Sequence, residues 1–302
     1  MPSRISFEDQ ISRNKLNSTI LLGVILIFFI ALGYLISLIL NPSYFFVIMI
    51  ISIIFSISYI LIGYYNSDKI ALASVNAKPA SKIEHRRLFD AVENMSLASG
   101  LPMPRVYVMN SREINAFASG RDPKNAVICM TTGALEKLDK AELEGVVAHE
   151  MSHIANYDIR YMTLTAVLIG MISIIAEIFL RSLWISSLSD RNSKGNTQII
   201  LIAIGILFAI LAPIFAQLAS LAVSRKREFL ADSTGVKLTR YPPGLAGALK
   251  KIKGEHIQNI EKKRFTKATA HLFISDPFKR KMSGLFSTHP DINERIKRLE
   301  RM

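Results

Sequence analysis

The chain has 302 residues, half of them hydrophobic, with a formal net charge of +13 and a mean hydropathy of +0.29. A chain that is both apolar on average and strongly basic is not an ordinary soluble globule; its apolar content excludes disorder, and 15 Gly with 11 Pro exclude a collagen or Pro-rich linker. A single cysteine, Cys129, excludes an internal disulfide framework and a Cys-rich zinc site, so any zinc site must be built from His and carboxylates.

Leu16 to Leu40 contains no charged side chain. At about 1.5 Å per residue such a run, as a helix, crosses a ~30 Å hydrocarbon layer. Asn41-Pro42-Ser43 interrupts it and Tyr44 to Tyr65 is a second uncharged run, so residues 1–65 read as a transmembrane hairpin. A cleaved signal peptide is disfavoured, because the first run exceeds the usual h-region of roughly 7–15 residues and no small-residue cleavage site precedes the second. Residues 66–160 carry twelve basic and twelve acidic side chains and read as an α+β piece outside the membrane. Within it, Ser81 to Ser99 has helical spacing and Gly100-Leu101-Pro102 stops it. Arg105 to Met109 and Ala126 to Met130 read as strands, and Thr131 to Leu138 begins a short helix. Asp139 and Glu142 form a capping-box pattern that opens a helix running through His149 and His153.

Two more apolar runs follow, Tyr161 to Leu180, broken only by Glu177, and Ile199 to Val223. They make residues 161–223 a second transmembrane hairpin, with buried soluble helices or a re-entrant segment as the alternative. Residues 224–302 hold nineteen basic and eight acidic side chains, so +11 of the +13 lies there. The positive-inside rule therefore puts the N-terminus, residues 66–160 and residues 224–302 on the cytoplasmic side. Clusters such as Arg225-Lys226-Arg227 and Lys279-Arg280-Lys281 read as surfaces facing anionic lipid headgroups or water. No nucleic-acid motif accompanies them, so no nucleic-acid partner is expected.

The chemistry is carried by His149-Glu150-Met151-Ser152-His153. Positions i and i+4 of a helix lie on one face, so the two imidazoles can bind one Zn²⁺, while Glu150 beside the first reaches a water on the metal and takes its proton. A third ligand is needed. Asn156 and Ile159 stand where a metzincin has Gly and His, which leaves the downstream carboxylates: Glu177, Asp190, Glu228, Asp232, Glu255 and Glu261. Spacing favours Glu228, four residues before Asp232 on one helical face, one carboxylate for the metal and the other for the free ring N–H of a ligand histidine. The bland alternative is an acidic pair solvated among basic neighbours.

These motifs, with Asn115-Ala116-Phe117-Ala118 and the late Ser287-Thr288-His289-Pro290, resemble those of the HtpX-type membrane zinc metalloproteases, relatives of the CAAX prenyl proteases. The resemblance covers nearly the whole chain. It implies His149, His153 and Glu228 on one zinc ion, Glu150 as general base, and ATP-independent cleavage of damaged or misassembled membrane proteins. It also implies a hydrogen bond from His289 to the tetrahedral oxyanion, against a bland reading as a helix-start histidine. Asn115 to Ala118 reads as an edge strand that pairs with an extended substrate, or else as a packed loop. The expected architecture is mainly α: a multi-pass helical membrane protein with a small α+β cytoplasmic zincin-like catalytic domain. Its expected partners are the lipid bilayer and membrane-protein substrates. The competing readings are prenyl-protein processing and a non-enzymatic four-helix channel or scaffold, the latter fed by Glu177 inside a span.

Overall fold

The computed structural model describes residues 7–39, 42–165, 205, 225–258, 273–274 and 290–302. The first uncharged run begins earlier than its apolar part suggests, in helix α1 (Phe7–Ile39), and the Pro42–Tyr44 turn feeds α2 (Phe45–Tyr65). The two helices pack against each other through Phe29, whose ring meets Phe55 and Tyr59 edge-on or tilted at 5.0 and 5.5 Å. The outer face of α2 is bare: Phe46, Ile51 and Ile54 are 76%, 60% and 60% exposed. Such a row of apolar side chains is stable against lipid and not against water. Both helices are long and apolar enough to cross a membrane. The second hairpin expected over residues 161–223 falls, but for 161–165 and 205, outside the described residues.

After α3 (Ser67–Ser74) the chain enters a four-stranded sheet made of β1 (Lys78–Pro79), β2 (Arg105–Met109), β3 (Ala116–Ser119) and β4 (Val127–Thr131). The spatial order is β1-β2-β4-β3, with β2 and β4 parallel and both outer strands antiparallel to their neighbours. β3 is thus an edge strand. Helix α4 (Arg86–Ser99) starts five residues later than its periodicity predicts, because His85 closes a turn back onto Ser81 through backbone and ring. Gly100 ends it in the left-handed conformation at φ 70°, where glycine has no Cβ penalty. The short helix α5 (Thr132–Lys137) is capped by the Thr131 hydroxyl.

Helix α6 (Lys140–Ala155) is the centre of the domain. Asp139 accepts the N–H of Glu142 at 2.9 Å and the Glu142 carboxylate accepts the N–H of Asp139 at 2.8 Å, the reciprocal cap expected from the sequence. Leu143, Val146, Val147, Met151 and Ile154 are all buried, so α6 is covered on every side. Helices α7 (Arg225–Thr239) and α8 (Pro242–Gln258) lie against it, and α9 (Ile292–Leu299) packs on α7 and α8. The approach of α8 is very close at Gly145, where a Cβ would stand 2.6 Å from the backbone nitrogen of Leu245. Gly145→Ala gains about 1 kcal/mol of helix propensity. The clash is with backbone that cannot rotate away, so the overpacking cost of ~1–3 kcal/mol wins. We expect a net loss of stability in this variant, measured as a lower denaturant midpoint; an unchanged or raised midpoint would show that α6 and α8 can separate freely.

Candidate metal centre

The capping box sets where α6 begins, and the one-turn spacing then turns His149 and His153 to the same side. Their rings meet edge-on, 4.8 Å between centroids and 89° between planes, with the two Nε2 atoms 3.2 Å apart. Glu228, in the first turn of α7, closes the triangle: its carboxylate oxygens stand 3.6 Å from Nε2 of His149 and 3.7 Å from Nε2 of His153. Helix α7 comes this near because Gly235 faces the backbone of α6, where a Cβ would lie 3.1 Å from the nitrogen of His149. All three side chains are buried, and their ligand atoms lie within 4.8 Å of one another.

Each ring is tied from behind. Nδ1 of His149 faces an Asp232 oxygen at 2.9 Å, and Nδ1 of His153 faces an Asp158 oxygen at 3.0 Å. Carboxylates only accept, so each Nδ1 carries a hydrogen, and in the neutral rings each Nε2 presents a lone pair. Two lone pairs and a carboxylate then converge with no donor among them. That arrangement is repulsive unless a proton or a metal cation lies between. Two nitrogens each about 2.0–2.1 Å from one tetrahedral ion stand roughly 3.3 Å apart, which matches the separation found here. The donor set of two imidazoles and one carboxylate is one that zinc takes in catalytic sites, leaving a fourth position open.

The charges agree. Arg295 donates to both oxygens of Asp232 at 2.7 and 2.9 Å and also lies 3.4 Å from Glu228. Arg227 pairs with Asp158 at 2.7 Å. With those two arginines matched to Asp232 and Asp158, Glu228 and Glu150 leave the cluster short of positive charge. Burial disfavours a charge on His149, but its hydrogen bonds to Asp232 and Glu228 outweigh it and push the imidazole up to about 9. Burial also pushes the Glu150 carboxyl up, against the pull of both imidazoles and of the Ala118 N–H it accepts. The other oxygen of note, Oε1 of Glu150, is buried with no hydrogen-bond partner among the described residues. An orphaned carboxylate oxygen beside an electron-rich triangle is what a proton acceptor for a water in that triangle requires.

The remaining expected residues sort themselves. Glu255 is remote from the triangle: it accepts the N–H of Ile114 at 2.8 Å and pairs with Lys137. His289, Glu177, Asp190 and Glu261 lie outside the described residues. Asn115 to Ala118 are all buried. The Asn115 side chain accepts the N–H of Ala116, and the Phe117 ring packs edge-on against Phe273 at 5.3 Å. The Ala116 carbonyl on the outer edge of β3 accepts the N–H of Ile274 at 2.9 Å. Ala118, further along the strand, is where β3 meets Glu150.

Three residues escaped the reading of the sequence: Asp158, Arg295 and Asn14, which donates to Asp158 at 2.7 Å. Asp158 had a signal, a lone carboxylate in the turn after the motif. Arg295 is one of nineteen basic residues in its segment and carries no mark of its own. Being 2% exposed, it is a buried counter-ion. Arg295→Met leaves Asp232 and Glu228 buried with a missing partner, and we expect a loss of about 3–5 kcal/mol of stability. The same change at exposed Arg301 is expected to cost less than ~1 kcal/mol. Denaturant midpoints of the two variants check this, and equal midpoints would contradict it.

The model of Peptidase family M48 matches residues 82–302 of this chain. A protease HtpX homolog of Caldanaerobacter subterraneus subsp. tengcongensis is 49% identical over 249 residues, covering 82% of each chain. A protease HtpX homolog of Tropheryma whipplei is 42% identical over 294 residues, covering 97% of each chain. Among solved structures, S. mikatae Ste24p superposes with a TM-score of 0.51 at 19% identity, over 92% of this chain and 61% of that one, a likeness of fold.

Proposed function

The chain belongs to peptidase family M48 and is a membrane metallopeptidase, and on that footing we propose that it is a zinc endopeptidase of membrane-protein quality control, cutting cytoplasmic segments of misfolded or damaged membrane proteins. Membership in a peptidase family sets aside the non-enzymatic channel or scaffold. The observation that carries the proposal is the convergence of His149, His153 and Glu228 with both Nδ1 atoms tied to carboxylates, a set of ligand atoms that suits a metal cation.

In this reading His149, His153 and Glu228 hold the zinc, which supplies Lewis acidity toward a peptide carbonyl and lowers the pKa of a water toward ~7. Glu150 takes the proton of the attacking water on its unengaged oxygen and delivers it to the leaving amine. His289 donates a hydrogen bond to the oxyanion. Asp232 and Asp158 keep each imidazole in the tautomer that presents Nε2. An extended substrate lies along the outer edge of β3. The Ala116 end of that edge is engaged by Ile274, so pairing is confined to the Ala118 end, beside Glu150.

The membrane arrangement in this proposal has hairpins at residues 1–65 and 161–223, with residues 66–160 and 224–302 joining in the cytoplasm to build the site. The lipid-facing side of α2 and the +11 charge of residues 224–302 support it. His153 lies eight residues before Tyr161, about 12 Å as helix, and Glu228 five after Val223. A centre tethered so near the bilayer meets loops and juxtamembrane segments of other membrane proteins first, and strand pairing admits them only when unfolded.

We expect His149→Ala and His153→Ala to lose zinc and turnover together, and Glu150→Gln to keep zinc while turnover falls at least ~10²-fold. Metal analysis beside a peptide-cleavage assay checks both; stoichiometric zinc in either histidine variant would remove the ligand assignment. With a reconstituted membrane substrate, cuts are expected in cytoplasmic loops and to rise as the substrate is destabilised. Cuts confined to the other side, or an equal rate on the stably folded form, would overturn the quality-control reading.

A further inference from the structure

Asn14 belongs to α1, at the start of the stretch Ile11–Tyr34 that is apolar enough to span a membrane. It is nonetheless 3% exposed, and its side-chain amide is engaged entirely outside its own helix. Nδ2 donates to Asp158 at 2.7 Å and to the carbonyl of Asn156 at 2.9 Å, while Oδ1 accepts from Arg227 at 3.0 Å. The amide cannot be reversed, since its oxygen would then face a carboxylate and a carbonyl and its NH₂ a guanidinium. Beside it, the Lys15 ammonium sits 4.5 Å from the centre of the Tyr157 ring. Tyr157 itself is held at φ 58°, the left-handed turn that brings Asp158 back toward His153.

Asp158 is where this network meets the metal centre. One of its oxygens is shared by Asn14 and Arg227; the other accepts from Nδ1 of His153 at 3.0 Å. A carboxylate gripped at one oxygen by two partners cannot rotate its second oxygen away from the imidazole. Without the Asn14 donor, Asp158 is free to swing toward Arg227, and His153 loses the bond that fixes its ring and tautomer. Asn14 also lies outside residues 82–302, the part of the chain that the family model matches.

We propose that Asn14 is a positioning residue for the metal centre, acting on His153 through Asp158, so that the first membrane helix is part of the frame that holds the metal. This rests on the reading that His149, His153 and Glu228 bind zinc, and the test separates the two. Zn²⁺ affinity of the full chain in detergent micelles is measured by competition with a chromophoric chelator. Asn14→Ala is expected to weaken binding about tenfold, the low end of the ~10–100-fold range for losses behind a metal ligand. In an Asp158→Asn background the same change is expected to alter affinity less than about twofold, since the path it acts through is already broken. Asn14→Asp sets a carboxylate against Asp158 and is expected to weaken binding at least as much. Asn14→Asp keeps the size of the side chain and serves if Asn14→Ala does not fold. Wild-type affinity in both variants at position 14, or an equal loss with and without Asp158, would each overturn the role of Asn14 while leaving the metal site standing. No zinc on the wild-type chain would overturn the metal site, and this role with it.

Discussion

Two imidazole nitrogens facing each other across 3.2 Å inside a buried site set the terms for everything around them. Left alone, the rings would turn or one would take up a proton. They are held because each Nδ1–H is committed to a buried carboxylate, and each carboxylate is committed in turn to a buried arginine. The chain from Arg295 through Asp232 to His149 comes from the helices after the motif. The chain from Asn14 and Arg227 through Asp158 to His153 reaches back to the first membrane helix. A rigid, fully covered α6 between them keeps the two imidazoles in register. What results is a buried cluster of ligand atoms that could hold a metal ion.

This arrangement changes how the basic composition is understood. Read as a count, the excess of Lys and Arg after residue 224 is a surface property that faces lipid headgroups or water. Two of those arginines are instead interior counter-ions, 7% and 2% exposed at Arg227 and Arg295. Buried charges are costly to desolvate and are retained only with well-placed partners. Here their partners are the same carboxylates that face His149 and His153, so fold stability and site geometry depend on the same bonds. The exposed Lys250 and Lys251 on α8 are paired as well, with Glu300 at 2.6 Å and Glu142 at 2.5 Å.

The sheet contributes less by its own chemistry than by where it ends. β3 is an edge strand only in part, because Ile274 already pairs with Ala116. The Phe117 and Phe273 rings stack the two segments together in a buried cluster. Further along, Ala118 is buried and its N–H is held by Glu150. Glu150 and strand β3 are therefore joined by one hydrogen bond.

The sequence by itself determined whatever depends on local spacing. Uncharged runs long enough to span a bilayer, the Asp139–Glu142 cap, the one-turn separation of His149 and His153, and the same separation of Glu228 and Asp232 all follow from the helical repeat. Neighbours within one turn meet whatever the rest of the chain does. Even Glu228, which closes the triangle with His149 and His153, was within reach, since only a few carboxylates lay downstream and one pair shared a helical face. The tertiary structure alone decided which buried charges answer which. Arg295 finds Asp232 across 63 residues, Asn14 finds Asp158 across 144, and Arg227 finds Asn14 across 213. A charge in sequence carries no sign of its partner, because pairing at such distances is set by how helices cross. It was likewise the path of the chain at Ile274, and not the pattern of Asn115 to Ala118, that decided that the Ala116 carbonyl of β3 is engaged.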